Sequence, residues 1–182
     1  MRIVGGKWTG RQLTSPNDRR VRPTAEHIRD LWLRTLEEEL AGARVLELFA
    51  GSGAVGLEAL SRGAREADFV ETRPASVHAL KANIAALHQR ERTRLFKKDA
   101  LAFASGLEPD SYRITFADPP YGSRMADRLL EIWQERRFSR VFSLEHAADH
   151  PLPEGDHRLE IEGTAITFYR APAVESGEGE GS

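Results

Sequence analysis

Val45-Leu46-Glu47-Leu48-Phe49-Ala50-Gly51-Ser52-Gly53-Ala54-Val55-Gly56 is the stretch on which the fold turns. Residues 45–49 form an apolar run broken by a single carboxylate, the pattern of a strand covered on both faces. Gly51, Gly53 and Gly56 then match GxGxxG, and residues 54–62 read as the helix that follows. Glycine allows positive φ and close backbone approach, and a helix start offers unpaired amides to a ligand. The spacing alone fits a dinucleotide site, a different nucleoside ligand or a purely structural strand-to-helix turn. Glu71, 20 positions after Gly51, has the spacing of an acceptor for ribose hydroxyls. Glu47 argues against a dinucleotide, because a carboxylate at the strand tip suits a cationic group such as the methionyl ammonium of S-adenosylmethionine.

Outward from this stretch, strands and helices alternate, as in a parallel sheet covered on both sides. A second strand ends at 69–71, a helix covers 75–87, a third strand covers 94–98 and a fourth 113–117. A helix over 125–135 and a fifth strand over 141–145 follow. Residues 158–161 and 165–169 flank Glu162-Gly163-Thr164 and read as an antiparallel pair at the sheet edge. Upstream, 2–13 suggests a small β-hairpin and 15–23 a loop. Thr24 stands where it would cap a helix whose stripe is Ile28, Leu31, Trp32, Thr35, Leu36 and Leu40. Glu37, Glu38 and Glu39 would form its solvated face.

The fourth strand runs into Asp118-Pro119-Pro120-Tyr121, and ligands of open α/β sheets bind at such carboxyl ends. An exocyclic base amine is a poor nucleophile because its lone pair is delocalised into the ring. Asp118 can accept one of its hydrogens and the Pro119 carbonyl another, while Pro119 and Pro120 offer no N–H and stiffen the loop. Tyr121 can stack on a flipped base. Asp99, after the third strand, is placed either to accept from an adenine amino group or to cap the next helix.

At 182 residues, 40% hydrophobic, the chain can bury one substantial core. No stretch approaches the roughly 20 apolar residues of a membrane helix, nor does the start resemble a signal peptide, so the expected compartment is the cytoplasm. Zero cysteines exclude a thiol nucleophile, and six histidines without ligand spacing predict no metal. Arg2, Lys7, Arg11, Arg19, Arg20 and Arg22 make the amino-terminal end basic despite a net charge of −2. That end suits phosphates, or is simply a solvated basic face. The organisation expected is a basic extension over 1–23, a catalytic domain over 24–170 and an acidic, disordered tail over 171–182.

Taken together, these motifs resemble class I S-adenosylmethionine-dependent methyltransferases acting on amino nitrogens. Arg2-Ile3-Val4-Gly5-Gly6-Lys7-Trp8-Thr9-Gly10-Arg11, Arg22-Pro23-Thr24, the glycine turn running on to Ala64, and Asp118 to Tyr121 are similar to the RsmD family. The resemblance implies a Rossmann-like α/β fold, with a mostly parallel seven-stranded sheet, an antiparallel carboxy-terminal edge strand and a small amino-terminal hairpin. It implies methylation of the N2 amine of one guanine, position 966 by the family's convention, in 16S ribosomal RNA of the small subunit or an assembly intermediate. Carried over, it sets the cofactor against Glu47, Phe49, Ala50, Gly51, Ser52, Gly53, Glu71, Thr72, Asp99 and Ala100. It gives the guanine amine to Asp118, Pro119, Pro120 and Tyr121, and the RNA to Arg2, Lys7, Trp8, Arg11, Arg22 and Thr24.

Three positions depart from the family's pattern: Glu47 where Asp is usual, Thr72-Arg73 after Glu71, and Arg113 before the fourth strand. A monomer is the expected state. Adenine-N6 methylation of DNA or RNA, protein glutamine methylation, and a non-catalytic assembly factor with this fold are the competing readings. The short chain has no separate target-recognition domain, and the acceptors at the amine position are intact.

Overall fold

The computed structural model describes residues 1–16 and 24–172, so most of the loop expected over 15–23 and of the tail expected over 171–182 lies outside the described residues. Helix α1 (Glu26–Thr35) and short α2 (Glu37–Leu40) precede the alternating region. Strand β1 (Arg44–Leu48) leads to α3 (Ala54–Ser61), β2 (Glu66–Val70) to α4 (Pro74–Ala86), and β3 (Thr93–Phe96) to α5 (Ala100–Ser105). Strand β4 (Tyr112–Ala117) is followed by α6 (Met125–Arg136), then β5 (Ser139–Ala147), β6 (His157–Ile161) and β7 (Thr164–Arg170). The seven strands are ordered β3-β2-β1-β4-β5-β7-β6. β7 runs antiparallel to both β5 and β6, so the last strand in sequence lies inside the sheet and β6 forms its rim. Glu162-Gly163, both at positive φ, close that hairpin.

This is the α/β architecture expected from the alternating pattern, with strand limits displaced by one or two residues. The order reverses between β1 and β4, both of which lead from buried strands into loops at one sheet edge. One core layer joins Trp32 and Leu33 of α1 to Phe69 and Phe116, with Trp32 edge-on to Phe116 at 5.6 Å. The opposite layer stacks Trp133 on Phe142 at 5.8 Å and holds Phe138 and Tyr169.

Three local expectations change. The 2–13 hairpin is a single antiparallel bridge, Arg2 to Gln12, because Gly6 and Gly10 at positive φ and bonds such as Thr9 N–H to Gly6 O coil the chain between its ends. Thr24 caps nothing. Ala25 is the N-cap of α1 without a side-chain bond, and the Thr24 hydroxyl points instead to two carboxylates described below. Leu31 faces outward at 42% exposure, its place in the buried stripe taken by Leu33. Helix α5 follows from no period in six residues; Asp99 caps it, its Oδ1 accepting the Ala102 N–H at 2.9 Å.

The amino-terminal segment is bound into the sheet's own core. Ile3 and Leu13 are buried in it, and the backbone of Lys7 and Trp8 donates to Ser61 at 2.9 Å each. Beneath it, fully buried Arg29 pairs through Nε with Glu58 at 2.7 Å and donates from Nη2 to the Arg2 carbonyl. Glu58 also accepts from Arg62 at 2.8 Å, and Arg62 bonds Asp30 at 2.6 Å. Breaking a buried pair leaves a charge without its partner, which costs more than the pair contributes. Glu58→Ala is therefore expected to lower unfolding stability by about 3–5 kcal/mol in urea titration, with Arg29 the charge left behind.

Candidate active site

Strand tips build the site. β1 ends at Leu48, paired with Val70 of β2 and Ala117 of β4, and Ala117 pairs with Leu144 of β5. Phe49, Glu71, Asp118 and Glu145 therefore emerge side by side, one residue beyond that row. They surround a cavity of about 530 Å³, a size within the range of small-molecule sites. Among the residues read from the sequence, Thr24, Glu47, Phe49, Ala50, Gly51, Ser52, Glu71, Thr72, Asp99 and Asp118 to Tyr121 line it. Gly53 and Ala100 lie behind the wall. Gly53 faces Leu80, where a Cβ would sit 2.2 Å from Leu80 Cδ1, and Ala100 is buried as the first residue of α5.

The cofactor side is made of bare backbone and carboxylates. Gly51 has φ 54°, and a Cβ there would meet no atom within 4 Å, so its main chain is open to a ligand. Phe49 also adopts positive φ, 58°, turning the chain sharply off β1. Behind this turn Gly56 leaves room that a Cβ would take, 2.6 Å from Phe69 and 2.9 Å from Glu47 Oε2. Glu47 is buried and accepts the Gly56 N–H at 2.8 Å. It thus anchors the start of α3, a structural duty that the sequence did not disclose. Glu71 is occupied similarly, accepting Gly51 N–H on Oε2 and the Thr72 and Arg73 N–H groups on Oε1, each at 2.8 Å. A carboxylate offers about four acceptor directions, so a ribose diol would share Glu71 with the loop it holds.

The donor set fits S-adenosylmethionine: a buried acid for an ammonium, a second acid for hydroxyls, exposed glycine backbone, and Asp99 at the far end. The cap on α5 uses Asp99 Oδ1, which realises the capping reading within the same wall.

The reaction side centres on the Asp-Pro-Pro-Tyr loop. Pro119 is buried and Tyr121 is 44% exposed. The Pro120 carbonyl accepts from Ser123 Oγ at 2.6 Å, which closes the turn. Tyr121 Oη donates to Glu145 Oε1 at 3.2 Å and lies 3.1 Å from Thr164 Oγ1, so two groups hold its hydroxyl end. Burial, with the Glu145 and Asp118 carboxylates nearby, pushes the Tyr121 hydroxyl up to about 12. Thr24 Oγ1 lies 3.4 Å from Asp118 Oδ2 and 3.1 Å from Glu145 Oε2.

Of the described residues read as RNA contacts, only Thr24 reaches the cavity. Arg2 is tied to Glu26, whose Oε1 accepts its backbone N–H at 2.8 Å and whose Oε2 accepts its Nε at 3.2 Å. Lys7 stands over the Trp8 ring at 4.6 Å, and Arg11 donates to the Ala86 carbonyl at 2.9 Å. Arg2, Lys7 and Arg11 are exposed, whereas Trp8 is half-buried and packs against the core; Arg22 lies outside the described residues.

Other residues join the site without having been read from the sequence as part of it. Glu145 carries the clearest signal in retrospect, a carboxylate at a buried strand's end, as at Glu47 and Asp118. Met1 and Pro16 line the cavity from the two ends of the amino-terminal segment. Asn83 supports the wall from behind: 1% exposed, it donates to the Thr14 and Ser52 carbonyls at 2.9 Å each and accepts the Thr14 N–H at 2.7 Å. His146, buried and lowered by that burial, bonds Thr167 and packs.

The fold and this cavity define a class I S-adenosylmethionine-dependent methyltransferase. The family model "Conserved hypothetical protein 95" matches residues 1–162. Ribosomal RNA small subunit methyltransferase D of Escherichia coli K12 is 33% identical over 95% of this chain and 91% of its own length. The enzyme of that name from Haemophilus influenzae is 30% identical over 93% of this chain and 92% of its own. The chain belongs to the RsmD family. A hypothetical protein of Thermus thermophilus, 30% identical, superposes with a TM-score of 0.79 over 94% of this chain and 99% of that one. An RNA methyltransferase of Salinibacter ruber in complex with S-adenosyl-L-homocysteine shares the fold at 13% identity, with a TM-score of 0.68 over 83% of this chain and 94% of its own.

Burial raises the Glu47 carboxyl from the ordinary 4.5 to about 8, against the opposing bonds from the Gly56 and Val55 amides. Between these values the folded protein holds a proton that the unfolded chain has released, so stability falls as pH rises from about 4.5 and levels off above about 8. An ammonium beside Glu47 restores its charged form and expels the proton. Cofactor binding at pH 6.5 is therefore expected to release up to about one proton, with affinity rising at most about tenfold per pH unit. Calorimetry in buffers of different ionisation heat reads this directly. Glu47→Gln should abolish the release, and an unchanged release would remove the ammonium from this position.

Proposed function

We propose that the enzyme transfers a methyl group from S-adenosylmethionine to the N2 amine of a guanine in 16S ribosomal RNA, within the small subunit or an assembly intermediate. The observation that carries this reading is the opening of Asp118-Pro119-Pro120-Tyr121 into the same cavity as the Gly51 turn. Held by Glu47, Glu71 and the Gly51 turn, the cofactor would supply an electrophilic sulfonium methyl group whose transfer to N2 would leave a neutral thioether. Asp118 and the Pro119 carbonyl accept the amine hydrogens and turn the nitrogen lone pair toward the methyl, a placement of fixed acceptors where positive charge develops. Tyr121 supports the base face, and water takes the proton that N2 sheds.

The assignment to ribosomal RNA draws support from the family and from the outer face of the amino-terminal segment. In this reading residues 1–23 are the RNA-facing extension, with Lys7, Trp8, Arg11 and Arg22 against the RNA, and residues 24–170 are the catalytic domain working as a monomer. A basic, aromatic-bearing surface meets phosphate and unstacked bases together.

Primer extension and mass analysis of 16S RNA from a deletion strain are expected to show one guanine lacking N2 methylation, restored by the cloned gene. Fully modified guanines, or a missing methyl on adenine N6, would overturn this substrate. Asp118→Ala should reduce turnover by at least about a hundredfold, the scale of losing a preorganised acceptor, while calorimetric cofactor affinity changes by less than about threefold. Equal loss of both would assign Asp118 to cofactor binding.

A further inference from the structure

We propose that Glu145 is the residue that distinguishes guanine from adenine, accepting the N1–H of the target base while Asp118 accepts from its amine. The inference rests on the guanine-N2 reading above and assigns a role that the Asp-Pro-Pro-Tyr loop alone does not supply. That loop holds an amine, and adenine presents an amine as well.

Glu145 follows Leu144, whose register partner is Ala117, so Glu145 and Asp118 stand one step beyond the same paired row. Thr24 Oγ1 sits between them: its distances of 3.4 and 3.1 Å put Asp118 Oδ2 and Glu145 Oε2 within 6.5 Å of each other. Both acids line the cavity. Tyr121 Oη, protonated throughout the physiological range, donates to Glu145 Oε1 and fixes the plane of the carboxylate. A carboxylate offers about four acceptor directions, so Glu145 can accept from a base edge alongside the groups that it already holds.

The chemistry of the two purines then decides. Guanine carries adjacent donors, N1–H and the N2 amine, and meets two acceptors with two donors. Adenine carries an acceptor, its N1, beside the N6 amine. Against Glu145 this sets lone pair to lone pair and leaves a buried acceptor unmet, the situation in which polar sites reject analogues most strongly. Glu145 is thus a specificity-determining residue that also positions Tyr121, and the two duties separate by experiment.

2-Aminopurine keeps the 2-amino group but has an unprotonated N1. Methyl transfer from labelled cofactor is measured on RNA carrying guanine or 2-aminopurine at the target position, presented in the form that the wild-type enzyme methylates. The wild-type enzyme is expected to favour guanine by at least about a hundredfold in kcat/KM. In Glu145→Gln, whose amide can donate to an unprotonated N1, that preference should narrow at least tenfold, with cofactor affinity unchanged. Equal use of both bases by the wild-type enzyme overturns the proposal without any variant. So does a Glu145→Gln enzyme that keeps the wild-type ratio, as a residue that only braces Tyr121 would, since loss of contacts to guanine O6 lowers both enzymes alike. A wild-type enzyme that methylates no guanine-containing RNA fails at the parent reading instead, a different result from the unaltered ratio.

Discussion

Glu47 accepts the first free amides of α3 from inside the sheet, at 2.8 Å from Gly56 N, and the geometry of the cofactor side depends on that contact. A helix start has four N–H groups without intrahelical partners. Satisfying some from β1 fixes the angle at which α3 leaves the turn, and with it the path of residues 49–53. Glu71 performs the matching task on the other flank, gathering three amides from two loops. Two acids from neighbouring strands thus hold the backbone that a ligand must approach. The charge of Glu47 depends on its surroundings: a cationic group opposite it would turn an acid that burial has neutralised into an ion pair.

The sheet was legible because its strands are apolar runs separated by helices of regular period, and the glycine turn was legible because Gly51, Gly53 and Gly56 are needed for conformation and space. Asp118 to Tyr121 stood out because two successive prolines at a strand's end have few structural uses. What stayed hidden depended on partners distant in sequence. Thr24 looks like a cap in isolation, but a hydroxyl facing two carboxylates from β4 and β5 is drawn to them instead. Glu145 has no local motif; its meaning comes from the register of β5 against β4. Gly53 belongs to the motif, and Leu80 fills the space that its missing Cβ leaves.

The amino-terminal segment is the other place where sequence and structure part. The sequence suggested a small basic hairpin, and its backbone and apolar side chains are built into the core. Ile3 and Leu13 are buried, and Arg29, Ser61 and Arg62 grip it from below. Gly5 and Gly6 permit that approach, since a Cβ on either would run into Arg62 or the Ser61 main chain. Charges presented from such a base are held at fixed spacing, which suits recognition of a folded RNA surface by shape.

Asn83 ties the amino-terminal segment to the glycine turn as one mechanical body. Its amide holds both main-chain groups of Thr14 and the carbonyl of Ser52, with the side chain sealed from water. A ligand that displaces Thr14 must either drag Ser52 along or break bonds that no solvent is at hand to replace. The amino-terminal segment and the loop that lines the cavity therefore have no hinge between them at this point, and they shift together or stay put together.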